Sequence, residues 1–333
     1  ETEKLFLLQN KTNTERRKAL NYIAFIKFLA MIMIIKWHLF FWKKKPIDYG
    51  ARMCEILFVA SGFLVGYNRY KRNIPCDYET SFNYSYKHLR SFYPLELINI
   101  IFGYAIYKGK KYDLTEFVII ISNILLLKSW SRHTLLIARF NGITWFLTDL
   151  LFCYFLVPAL LQGIKNIKNS VILFFIVSFI RITTEELIYH GAFNLFDAEF
   201  HRGPIIRLLE FYMGMLLTPM FFYFKHYMDK YKNKFYTKII FTIIQIVLPI
   251  IIYFMMLKYN HLLHRCYFIL IFCFFIFIIS YDFGILSDLF AHKLCVKIMS
   301  CQMEMFLFQK TIFKIFHHTT INKKFVTMFN NKQ

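Results

Sequence analysis

Ten apolar runs, at about 20–42, 51–68, 91–107, 114–130, 144–163, 168–182, 203–224, 236–257, 264–283 and 293–317, dominate the sequence. Many are about 17–22 residues long, the length of helix that crosses a bilayer's hydrocarbon core. In lipid every backbone polar group must be satisfied within the protein, which leaves helices or a closed barrel. Runs of this length predict the first. The expected fold class is therefore all-α: a polytopic integral membrane protein with about ten transmembrane helices in one bundle. Short connections leave no room for a sizeable soluble domain.

Composition agrees. Hydrophobic residues make up 57% of the 333 positions, against about 45–50% in soluble domains. The 41 Lys+Arg against 20 Asp+Glu give a net charge of +21. In a soluble chain that balance would suggest nucleic acid; here the basic residues flank the apolar runs, so lipid headgroups and anionic ligands at the membrane face are the expected partners. No nucleic-acid partner is expected. The seven cysteines lie mostly within apolar runs and form neither a disulfide framework nor a zinc spacing. His261/His264 and His317/His318 lack nearby carboxylate partners in sequence, and Cys266 is the one thiol close to either pair, so no metal site is expected. No phosphate-binding glycine loop, nucleophile elbow or zinc-protease motif occurs.

Residues 1–19 form a basic segment, 20–317 a membrane domain and 318–333 a polar tail. The first run is too long for a signal-peptide core and lacks a small-residue cleavage site, which predicts a retained helix. The basic N-terminus and the 69–90 loop both point to the cytoplasm, as does the 225–238 loop with Lys225, Lys230, Lys232, Lys234 and Lys238. Simple alternation of ten spans puts that last loop on the opposite side. One run between 91 and 182 is therefore expected to be re-entrant or otherwise not to cross.

Ionisable residues inside apolar runs are costly and mark candidate sites. Lys36 lies near a helix end, where it can snorkel to the interface. Lys27 and His38 are eleven residues apart, which places them on one helix face about 16 Å apart. They either grip two ends of one long ligand or are unrelated polar residues near helix ends. Lys87 and Arg90, spaced i,i+3, either hold a phosphate or form a positive-inside cluster. Ser61-Gly62 suits helix packing as well as ligand contact. Glu55 lies about two turns earlier, Arg207 and Glu210 share a helix face, and Trp145 and Asp149 stand four apart. Glu304 and Gln309 lie in the last run.

Five ordered stretches resemble the acyltransferase family 3 proteins, polytopic membrane enzymes that acylate sugars and often O-acetylate bacterial surface glycans. FIKFLAMIMIIKWHLF (25–40) is similar to the family's first helix, in which a basic residue precedes a histidine by eleven. CEILFVASGFLVGY (54–67) resembles its Ser-Gly-Phe segment, and YKHLRSFYPLEL (86–97) its basic-x-x-Arg followed by Tyr-Pro. NGITWFLTDLLFCYFLVPALL (141–161) resembles its Trp-x-Leu-Ser segment. RGPIIRLLEFYMGMLL (202–217) is similar to its Arg-x-x-Glu-Phe-x-x-Gly helix. A weaker likeness to the final helix lies in MSCQMEMFLFQKTIF (299–313). The pattern departs at Lys27 and Lys87, where Arg is common, at Thr148 in place of Ser, and at Gln309 in place of a frequent His. Some members append a hydrolase-like domain; this chain is expected to act as a stand-alone membrane module.

The resemblance implies acetyl-CoA, or another acyl-CoA, as co-substrate with no bound cofactor, and a sugar or polysaccharide acceptor. It implies residence in the bacterial inner membrane with the N-terminus cytoplasmic. His38 is the expected general base, or else a transient acyl carrier. Lys27, Lys87 and Arg90 are expected to bind the CoA phosphates. Glu55, Ser61, Gly62, Trp145, Thr148, Arg207 and Glu210 are expected to support the site. Glu55 or Glu210 could orient His38, Glu210 could equally be locked to Arg207, and Trp145 either stacks on a ring or anchors the interface. The alternative reading is a transporter or flippase of a glycan or lipid-linked sugar without acyl chemistry.

Overall fold

The computed structural model describes residues 21–39, 49–70, 72–106, 114–130, 141–189, 203–258 and 267–318. All regular structure among them is helical. In order the helices are α1 (Asn21–Leu39), α2 (Tyr49–Arg69), α3 (Tyr78–Ile106), α4 (Leu114–Ile124), α5 (Trp145–Gly163), α6 (Ile167–Tyr189), α7 (Pro204–Met228), α8 (Phe235–Lys258), α9 (Phe268–Ile279), α10 (Ile285–Phe290), α11 (Lys293–Ser300) and α12 (Gln302–His318). Residues 1–19 and most of the 318–333 tail lie outside the described residues.

Each apolar run becomes helix, but the count of ten spans is not reached. Six helices among the described residues are long and apolar enough to cross a membrane: α1, α2, α5, α6, α7 and α8. The run at 264–283 yields a described helix of 12 residues, and the last run breaks into α11 and α12 at Cys301. The run at 114–130 yields a helix of 11 residues, which reaches about 16 Å of a core about 30 Å thick.

α4 ends early because the chain turns at Leu126, which adopts the left-handed conformation with φ 53°. Leu127 N–H donates to the Ser122 carbonyl at 2.8 Å and Leu126 N–H to that of Asn123 at 3.2 Å. This pair of bonds closes the helix as a Schellman cap, a position usually taken by glycine. At that depth Tyr93 of α3 donates to the Ile124 carbonyl at 2.8 Å. The flanking helices α3 and α5 are antiparallel neighbours: Tyr84 and His88 meet Tyr154, whereas Glu96 meets Thr144. The link from α3 to α5 thus starts and finishes at one end of the bundle, and α4 adds no crossing between them.

The tightest helix pair joins α2 to α7. A methyl group on Gly62 would overlap the Phe211 carbonyl, one on Gly214 would overlap that of Val59, and one on Gly66 would press on Thr218 and Met215. Small residues here let two backbones approach closely, the main source of helix association in lipid. These contacts pair residues 59–66 with 211–218 in the same order, so α2 and α7 run parallel. Arg69 and Met228 consequently lie at the same end, and the 225–238 loop shares a face with the 69–77 loop. The conflict between charge and alternation is resolved by α4.

With Cys295 and Cys301 also changed to Ser to remove the other accessible thiols among the described residues, Lys232→Cys in a Cys76→Ser background is expected to label with an impermeant maleimide from the same side as Cys76 in the chain that keeps it. Labelling from opposite sides would contradict a parallel α2–α7 pair. Gly62→Leu is expected to abolish the folded monomer in detergent, read by size-exclusion chromatography.

Candidate functional site

Parallel packing brings the starts of α2 and α7 together with the end of α6, and there the charged residues meet. Arg181 lies at the centre. Its guanidinium holds Glu210 at 2.8 Å, Glu185 at 2.5 Å and Glu55 at 3.6 Å. Arg207 also holds Glu210 at 2.5 Å, and Arg52 holds Glu55 at 2.5 Å and Glu185 at 3.0 Å. Three arginines meet three glutamates, so the cluster is neutral overall. Arg181, Arg207, Glu55 and Glu210 are all at most 2% exposed. The Arg207 guanidinium lies 5.6 Å from the ring centroids of both Phe58 and Trp145, within cation–π range. Asp149 is buried beside this group, with Arg207 and Ser129 in its polar surroundings.

Four expected site residues thus belong to a structural network. Glu55, Arg207 and Glu210 form ion pairs, and Trp145 stacks on Arg207. Neither Glu55 nor Glu210 is what His38 meets on α12. His38 Nδ1 lies 2.9 Å from Gln309 Oε1, while Glu55 and Glu210 pair with arginines. Arginines outcompete a neutral imidazole for buried carboxylates because only they cancel the charge. Arg52, Arg181 and Glu185 were not singled out by the sequence. The apolar run ends at 182, but α6 continues to Tyr189 and makes Arg181 and Glu185 an i,i+4 pair.

Lys27 lines a cavity of about 50 Å³ with Ser61, Tyr154, Gln302 and Phe306. It has no ion pair among the described residues. Tyr154 closes the cavity and its other face stacks on His88, centroids 4.2 Å apart. His88 in turn lies in the field of Arg69 and Lys87. Lys87 and Arg90 are both exposed on α3. Lys27, Arg69 and Lys87 thus lie around the stacked pair of Tyr154 and His88. His88 and Tyr154 lie inside the quoted stretches, but nothing in their spacing reveals that α3 and α5 stack there. Gly62 serves the α2–α7 contact. Thr148 lies elsewhere: it lines an apolar groove of about 310 Å³ between α3 and α5.

A second buried network anchors α12. Thr144 donates to Glu96 at 2.5 Å, Asn141 Nδ2 donates to Glu96 at 3.3 Å and to the Leu307 carbonyl at 3.1 Å, and Lys128 donates to the Asn141 carbonyl at 2.9 Å. Thr311 donates to Asn99 Oδ1 at 2.8 Å. The Leu307 carbonyl thus meets Asn141, just before α5, and Thr311 meets α3, while Gln309 between them faces α1. The α12 cavity residues Gln302 and Phe306 meet α1 near Lys27, and Gln309 meets it at His38, so α1 and α12 run parallel.

The acyltransferase 3 family profile, described as an acyltransferase domain, matches residues 20–329. The chain belongs to this family. It is an acyltransferase with membrane-type helices, and the match does not favour a transporter without acyl chemistry. Comparison with curated proteins and with solved structures gives no match. Among the described residues no group of His, Cys, Asp or Glu could hold a metal ion; the His261/His264 pair lies outside them.

Arg181→Ala is expected to cost about 3–5 kcal/mol, because it strands buried carboxylates. Lys225→Ala, which breaks the exposed pair with Asp229, is expected to cost about 0–1 kcal/mol. Thermal unfolding in detergent measures both; equal melting points would contradict the structural role of the network.

Proposed function

We propose that this acyltransferase moves an acetyl group from acetyl-CoA to a sugar hydroxyl of a bacterial surface polysaccharide or its lipid-linked precursor. The observation that carries the reading is the placement of Lys27 and His38 along α1, with cations gathered near one and a polar partner holding the other. The α1 end nearer Lys27 shares its face with the 69–77 and 225–238 loops. By the positive-inside rule this is the cytoplasmic face, in the inner membrane of a bacterium, and the N-terminus lies there.

The donor's phosphates are taken by Lys27, Lys87 and Arg90, with Arg69 adding positive field. Ser61 lines the same cavity as Lys27. About three helical turns separate Lys27 from His38, which suits the long pantetheine arm of CoA. At the far end His38 takes the proton of the acceptor hydroxyl as the oxygen attacks the thioester carbonyl. The new C–O bond forms, the C–S bond breaks, and the proton passes from the imidazolium to the leaving thiolate. The products are the O-acetyl sugar and CoA, and His38 is again neutral. The cavity at Lys27, about 50 Å³, has room for a few waters but not for a donor of this size, so donor binding parts α1 from α12.

His38→Ala is expected to leave membrane insertion intact and to abolish acetyl-CoA-dependent CoA release in isolated membranes. Full activity in the inserted variant refutes the role. Lys87→Ala and Arg90→Ala are each expected to raise the KM for acetyl-CoA several-fold; an unchanged KM in both removes them from the donor site.

A further inference from the structure

The side chain that His38 meets on α12 is an amide, and an amide presents either a donor or an acceptor. The surroundings of Gln309 decide which. Its Nε2 donates to the Phe306 carbonyl, one turn back on α12, at 3.0 Å, and its Oε1 lies 2.9 Å from His38 Nδ1. Reversing the amide would set Oε1 against the Phe306 carbonyl oxygen, two acceptors with no proton between them. Gln309 is 3% exposed, so water does not offer an easy escape from that arrangement. The oxygen therefore faces the imidazole, and only an N–H can answer it.

A neutral imidazole carries one ring proton. With that proton on Nδ1, the lone pair is on Nε2. We infer that Gln309 is the positioning residue of the acyl transfer: it holds His38 as the Nδ1–H tautomer, so that Nε2 is the atom that takes the acceptor's proton. The inference rests on the reading of His38 as the base. When Nε2 gains that proton, Nδ1 keeps its own, and Gln309 Oε1 continues to accept from the imidazolium. No proton moves to Gln309 at any step.

Two features hold the amide in register. Leu307 and Thr311, on the other face of α12, are tied to Asn141 and Asn99. Trp37, next to His38, packs on Gly50 at the start of α2 and meets the His38 ring edge-on with centroids 4.8 Å apart. Both partners of the hydrogen bond thus sit on fixed elements, as precise positioning requires.

Three variants of the full-length protein in isolated native membranes test this, with CoA release from acetyl-CoA as the readout and protein level checked by immunoblot. Gln309→Met keeps the volume and loses the acceptor. Gln309→Glu keeps the length and the acceptor. The Met variant is expected to lower kcat about 10–100-fold with KM for acetyl-CoA within about twofold, a part of the roughly 10²–10⁴-fold that a general base supplies. The Glu variant is expected to retain more activity than the Met variant. A residue that only fills space gives the reverse order, since a buried carboxylate disturbs packing more than methionine does. Wild-type kcat in Gln309→Met, or greater loss in Gln309→Glu than in Gln309→Met, overturns the inference. His38→Ala in the same membranes separates the two claims. Its inactivity beside a wild-type Gln309→Met leaves the base in place and rejects the positioning role; its full activity rejects both.

Discussion

Arg181 meets three glutamates from three helices, α2, α6 and α7, and the geometry of the bundle's His38 end follows from that cluster. A charge in hydrocarbon must be cancelled where it stands. The cluster does so only if α2, α6 and α7 are packed at one depth. The glycines of α2 and α7 allow the approach, and the ion pairs fix the register. Because α2 begins where α1 ends, with Trp37 seated on Gly50, the same register positions the turn of α1 that carries His38. The residues that look most chemical in the apolar runs are thus chiefly those that hold the frame.

What remains for chemistry is arranged along α1. Lys27 lies by a small cavity whose far wall, Tyr154, leads through His88 to Arg69 and Lys87. His38 lies on the same helix toward the opposite face, held by Gln309. α12 runs alongside in the same direction and touches α1 at both places. The proposed donor, with phosphates at one end and a thioester at the other, is consistent with this layout.

Much of this was legible in the sequence, for reasons that can be named. Apolar length located the helices apart from α10 and the first turns of α3, which lie outside the runs, and basic loops pointed to one face even though they disagreed with alternation. The disagreement was informative: it arose from α4, whose stop at Leu126 is a left-handed cap made by leucine rather than glycine and so leaves no mark in the run of Ile and Leu residues. Arg181 was hidden because polar residues after it resemble a loop, while α6 extends two turns further. Glu55 and Glu210 drew attention as carboxylates that could serve His38, but pairing depends on which arginines the fold brings near, and Arg52 and Arg181 do not announce themselves by spacing. Gln309 stood out in the sequence only as a departure from a family pattern. Its part emerges from a carbonyl three residues away and a histidine 271 positions earlier.

The central claim is that this bundle places acetyl groups on a surface glycan. Proton NMR of the purified glycan, comparing a strain that lacks the gene with the same strain carrying it, tests this most directly. The account gives O-acetyl signals that vanish with the gene and return with it, at shifts that identify the modified sugar. Identical O-acetyl signals in both strains would contradict it.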